Sequence, residues 1–352
     1  MAEKNGIWVC LIIVGLLVGS GLFVYWKFHQ KKPEFSDRNF NLTVSQTGDG
    51  DYSRVSDAIR AAPSNGATPF YIHVCAGTYN EVVVVPLDKT NLVLVGDGAQ
   101  VTKITANRHP PQYPTSDSTT FTVYGDGFVA QDIAFENNAG IDNGQAVAVS
   151  ITANYTIFYR CSILGYHDTL YAKEGNQFFR ECDIYGTVDF IFGFASAVFQ
   201  RCNLYGRVSK YETVTYTAQG RQSLDQKSAF TIQGCKITVA PDVGPVQPTM
   251  TGFLGRPWFP YSTVMVMESF LDSIVNASGW EEWMSTPATH ATYLEYRNWG
   301  PGADTSGRVH WPGFKVVGDA SGALPYTVSQ LIQGDEWIPR TGVPYDSTFL
   351  SN

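Results

Sequence analysis

A repeat of about twenty residues constrains this chain more than any other feature. Phe158-Tyr-Arg-Cys161-Ser-Ile163-Leu-Gly165 is echoed by Phe179-Arg-Glu-Cys182-Asp-Ile184-Tyr-Gly186 and again by Phe199-Gln-Arg-Cys202-Asn-Leu204-Tyr-Gly206. A weaker copy surrounds Cys235 and Ile237. The first three cysteines stand 21 and then 20 residues apart. Each unit is a short alternating run closed by Gly, Asn or Asp, too short for a helix–turn–helix repeat. Strand stacked on strand, one coil per repeat, describes an all-β fold, the parallel β-helix. Alternate apolar positions fill its interior, and the opposite positions form an outer face where a long polymer can lie. Aligned cysteines on adjacent coils stand about 4.8 Å apart. That spacing admits either disulfide bridges or an interior ladder of small apolar thiols.

Composition agrees with a turn-rich β protein: 33 Gly, 18 Pro, 14% aromatic and only 16% charged residues in 352. The net charge of −8 gives no sign of a nucleic-acid partner and disfavours a polyanion. A neutral or esterified polymer is easier to hold. Gly6 to Trp26 is an uncharged apolar run between Lys4 and Lys27, and residues 1–26 read as either a signal peptide or a signal anchor spanning a membrane. Val18-Gly19-Ser20 offers a cleavage site, while Lys27, Lys31 and Lys32 load positive charge beyond the run. Residues 27–39 form a polar linker, and 40–352 read as one domain. Export agrees with sequons at Asn41, Asn154 and Asn276. Five cysteines lie beyond the leader, so at least one thiol is free.

Five motifs occur in order: Gly77-Thr-Tyr-Asn-Glu81, Gly144-Gln145-Ala-Val-Ala148, Gly165-Tyr-His-Asp168-Thr-Leu-Tyr171, Asp189-Phe-Ile-Phe-Gly193 and Leu254-Gly-Arg256-Pro-Trp258. Together with Gly300-Pro-Gly-Ala-Asp-Thr-Ser-Gly-Arg308, they resemble the plant pectin methylesterases from about Val44 to the C-terminus. The resemblance implies a right-handed parallel β-helix without an N-terminal inhibitor-like domain. It implies a secreted cell-wall glycoprotein that hydrolyses methyl esters of homogalacturonan. The implied partners are pectin and proteinaceous pectinesterase inhibitors; no cofactor or metal is implied.

Spacing supports the chemistry independently. Asp168 and Asp189 are 21 residues apart, the step of the cysteine ladder, so one coil brings them to neighbouring strands. Two close carboxylates do not ionise together easily, and the pair divides into an acid and a nucleophile. The resemblance assigns the parts: Asp189 as nucleophile, Asp168 as proton donor and then base, Arg256 as the residue that orients Asp189. Gln145 matches an oxyanion donor, and Trp258 a sugar-stacking tryptophan. Tyr171 and Phe192 serve either as cleft aromatics or in the core, and Tyr79 and Glu81 read as structural. His167 departs from the family, which usually carries Gln there; its ring N–H is a candidate transition-state stabiliser. Two other readings remain: a wall protein that binds pectin through a weakened site, and a different pectin-degrading β-helix enzyme, a polygalacturonase or lyase.

Overall fold

Runs of three to five β-favouring residues, each closed by a turn, carry the chain through successive short strands. The computed structural model describes residues 39–209, 211–241, 250–283 and 287–350. It shows parallel sheets of eleven, eight and six strands, with a further two-stranded pair. Each coil contributes a strand to successive sheets, so residues one repeat apart become lateral neighbours. Phe158 pairs in register with Phe179, and Phe179 with Phe199. Their rings stack inside the helix at 5.5 and 4.6 Å between centroids. Ile163, Ile184 and Leu204 form the matching ladder in the eight-stranded sheet. Burying each such side chain contributes about 1.5–3 kcal/mol.

The repeat marks the corner between these two sheets. Arg160, Glu181 and Arg201 turn it in the left-handed region, at φ 51°, 54° and 54°, a conformation costing roughly 1–2 kcal/mol per residue. The cysteine that follows offsets part of that cost by bonding backbone the corner would otherwise leave unpaired. The N–H groups of Cys182 and Cys202 donate to the sulfurs of Cys202 and Cys235, each at 3.4 Å. Cys235 N–H donates to Ser269 Oγ at 3.1 Å. The Cys182 thiol donates in turn to the Phe158 carbonyl at 3.2 Å. All five described cysteines are free, and Cys161, Cys182, Cys202 and Cys235 are buried. Of the two arrangements that spacing admits, the structure holds the thiol ladder.

Not every outer face is open. Strands of the eleven-stranded sheet such as Ser196–Gln200 and Thr263–Met267 are buried at all five positions. Short C-terminal helices (Val328–Leu331 and Gly334–Trp337) lay Val328, Ile332, Trp337 and Ile338 against Val129, Ile157, Phe178 and Val198. The C-terminal segment thus covers the middle of that sheet, and the aromatic cleft lies on the six-stranded one. Glu81 is structural as expected: its carboxylate accepts from the N–H groups of Val55 and Ser56 at the start of the helix Val55–Ala61. Tyr79 donates from its hydroxyl to the Cys75 carbonyl.

The described residues belong to one compact unit beginning at Asn39. The apolar run 6–26 and most of the linker lie outside them. Among the described residues no helix is long and apolar enough to cross a membrane. Asn41 and Asn154 are exposed, and Asn276 is half-buried with its side-chain oxygen accepting from Ser278 N–H.

Candidate active site

The six-stranded sheet places the two aspartates. Strand Leu170–Glu174 pairs with Ile191–Gly193 through Leu170 with Ile191 and Tyr171 with Phe192. Asp168 and Asp189 each stand two residues before these partners, in equivalent left-handed positions (φ 62° and 52°). Aspartate tolerates that conformation better than most residues. The backbone is tied there by the Asp168 N–H bond to the Val188 carbonyl, 3.2 Å. One side-chain atom from each of His167, Asp168 and Asp189 falls within 4.8 Å of the others.

Arg256 arrives from a later coil. Its N–H donates to Thr217 O at 3.0 Å, and a Cβ on Gly255 would stand 2.0 Å from Thr217 Oγ1, so only glycine lets the segment lie this close. The guanidinium then grips Asp189 with two bonds, Nε to Oδ1 at 2.8 Å and Nη2 to Oδ2 at 2.7 Å. Such a fork is charge-assisted and fixes orientation as well as ionisation.

The two carboxyls part company electrostatically. Burial pushes Asp168 well above the usual carboxylate range, the charge of Asp189 pushes it further, and Arg256 opposes only through space. Burial also raises Asp189, with the Glu281 charge adding to it, but the bonded Arg256 pulls it back. The pair therefore rests with the proton on Asp168 and the charge on Asp189.

A cleft of about 530 Å³ surrounds the pair and takes in Gln145, His167, Tyr171, Phe192, Arg256 and Trp258. All eight residues singled out in the sequence thus meet in one place. Gln145 lies one coil before His167, bridged to it laterally, and Ala146 N–H bonds the His167 carbonyl. His167 turns into the cleft, its Nε2 3.4 Å from Asp168 Oδ1. Tyr171 stacks on Phe192 at 4.4 Å, and Trp258 meets Phe192 edge-on at 5.9 Å. These aromatics form a separate cluster with Val147, Ala218 and Trp283, outside the interior core. Phe192 is nonetheless almost wholly covered, so Tyr171 and Trp258 present the wall.

Sequence reasoning missed two neighbours of Arg256. Trp283 lies under its guanidinium, 4.3 Å from Cζ to the ring centre, and Glu281 Oε2 stands 3.9 Å from Nη1. The signal was the pair of tryptophans bracketing two acids in Trp280-Glu-Glu-Trp283. Thr115 and Ser116 also line the cleft, from a segment with no legible pattern.

The fold is a right-handed parallel β-helix, shared with solved pectin methylesterases. The chain belongs to the pectinesterase family, whose model matches residues 41–335. Superposition on pectin methylesterase from carrot gives a TM-score of 0.86 at 40% identity, covering 88% of this chain and 98% of that one. A pectin methylesterase from Erwinia chrysanthemi gives 0.70 at 27% identity, covering 89% and 100%. Pectinesterase 2 of Citrus sinensis is 44% identical over 309 residues, 87% of this chain and 60% of that protein. Pectinesterase 1 of Solanum lycopersicum is 44% identical over 308 residues, 87% and 56%. The chain thus spans a little over half the length of these curated relatives.

Proposed function

We propose that this chain hydrolyses methyl esters of cell-wall homogalacturonan, releasing methanol and leaving pectate. The observation that carries the reading is the asymmetry of the aspartates: Arg256 is bonded to both oxygens of Asp189, while Asp168 is deeply set and electrostatically disposed to keep its proton. Asp189 attacks the ester carbonyl carbon, and the carbonyl electrons move onto its oxygen. Gln145 and His167, both in the cleft, supply donors to that oxyanion. Collapse expels the methoxy group, which takes the proton of Asp168 and leaves as methanol, and an anhydride on Asp189 remains. Asp168, now ionised, takes a proton from water; the hydroxide attacks the anhydride and restores Asp189. Tyr171 and Trp258 offer faces for sugar rings.

The pectin methylesterase likeness and the net charge of −8 support an esterified, weakly charged polymer as substrate. The apolar run 6–26 and the sequons support secretion to the wall as a glycoprotein, with cleavage or anchoring of the leader both compatible with its length. A proteinaceous inhibitor is a further proposed partner, supported by relatives such as Pectinesterase/pectinesterase inhibitor 18 of Arabidopsis thaliana.

Methanol release from esterified pectin by the purified protein tests the activity. Asp189→Asn tests the covalent step: the amide is nearly isosteric but forms no anhydride, and turnover should fall by about a thousandfold or more. Residual turnover near wild type, with deamidation excluded by mass spectrometry, would refute the assignment.

A further inference from the structure

At the first coils, far along the sequence from the catalytic motifs, a second cluster of side chains is assembled. His73 is the penultimate residue of the strand Phe70–Val74, Cys75 occupies the corner after it, and Asp97 follows the laterally paired strand Leu92–Gly96. Asp97 uses both carboxylate oxygens: Oδ1 stands 2.8 Å from His73 Nε2, and Oδ2 accepts the Ala76 N–H at 2.7 Å. The proton of the imidazole is thereby drawn to Nε2, which leaves the lone pair on Nδ1. That nitrogen faces Cys75 Sγ at 3.8 Å. The ring is further fixed by Phe40, stacked on it at 4.8 Å. Unlike the four interior cysteines, Cys75 is only partly buried.

We propose that Cys75 Sγ and His73 Nδ1 form a binding site for a thiophilic divalent transition metal such as zinc, with Asp97 as the carboxylate that orients the histidine. The geometry carries it. Zinc–sulfur and zinc–nitrogen bonds of about 2.3 and 2.0–2.1 Å at a tetrahedral angle set sulfur and nitrogen about 3.6 Å apart. The observed span needs to close by only a few tenths of an ångström. A carboxylate on the far ring nitrogen is the usual support of a metal-binding histidine, fixing tautomer and orientation. A thiolate and an imidazole together favour zinc or copper over magnesium or calcium, and water completes the coordination. Burial and the charges of Asp97 and Asp49 hold the proton on the thiol, so binding releases that proton as the sulfur–metal bond forms.

The test uses the untagged full chain and cobalt(II) alone as probe. One equivalent should produce the near-ultraviolet thiolate-to-cobalt charge-transfer band, bleached by added zinc(II). The catalytic cluster of His167, Asp168 and Asp189 contains no sulfur and gives no such band. Cys75→Ser should abolish the band and His73→Ala should at least greatly weaken it, with folding checked by circular dichroism. Asp97→Asn should lower apparent affinity about tenfold. No band in the wild type, or a band that survives Cys75→Ser, overturns the site; unchanged affinity in Asp97→Asn overturns the orienting role of that carboxylate.

Discussion

Asp168 and Asp189 occupy the same position on successive coils, yet only Asp189 is bonded to Arg256. The repeat makes the two residues equivalent in backbone, and a single arginine from two coils further on makes them different in charge. The proposed division into acid and nucleophile rests on that difference.

Arg256→Lys keeps the charge but loses the planar fork and the stacking on Trp283. Losing one charge-assisted bond costs about 1.5–3 kcal/mol, so kcat should fall roughly tenfold to a hundredfold with little change in KM. Steady-state methanol release measures both constants; wild-type kcat in the lysine variant would remove Arg256 from the machinery.

Glu281 raises Asp189 through its charge and is not among the influences on Asp168. Under the proposed division, the acid limb of kcat/KM reports ionisation of Asp189, and the alkaline limb reports loss of the Asp168 proton. Glu281→Gln should move the acid limb to lower pH and leave the alkaline limb in place. A pH profile of both proteins decides this, and equal displacement of both limbs would contradict the two assignments.

Asp168 also burdens the fold. Its pKa in the folded protein lies above that of the unfolded chain, so the folded state binds its proton more tightly. The resulting stability is complete below the unfolded pKa of about 3.9 and is lost as pH rises toward the folded value. Asp168→Asn mimics the protonated form at every pH. It should raise Tm by about 2 °C or more near pH 7, a gain that shrinks to nothing on acidification below pH of about 4. Calorimetry across pH measures this, and a gain independent of pH would point to packing instead.

Arg308 and Glu295 form a bidentate pair beneath the Trp280–Trp283 segment, with Nε to Oε1 at 2.7 Å and side-chain exposures of 1% and 2%. Trp280 Nε1 donates to the same carboxylate at 3.2 Å. Arg308→Met strands a buried charge and should cost about 3–5 kcal/mol in denaturant unfolding. Adding Glu295→Met should recover much of that loss, because no charge then remains unpaired. A double variant as unstable as the sum of the two single ones would show that the pair is not coupled.

The sequence by itself determined the coil. Phenylalanines, cysteines and aliphatic residues recurring every 20 or 21 positions can be buried together only if strands stack in register, and that step carried Asp168 onto Asp189 as surely as Cys161 onto Cys182. The motifs made the arginine, glutamine and tryptophan legible as well. Tertiary structure alone decided what lies between repeats. Periodicity says which residues share a face, but not which face the returning C-terminus covers, and the short helices around Val328 and Trp337 close the eleven-stranded sheet. It likewise brought Trp283 beneath Arg256 and Glu281 beside its guanidinium. Those meetings depend on turns of irregular length, where no repeating burial pattern constrains the chain and only closure in space sets the neighbours.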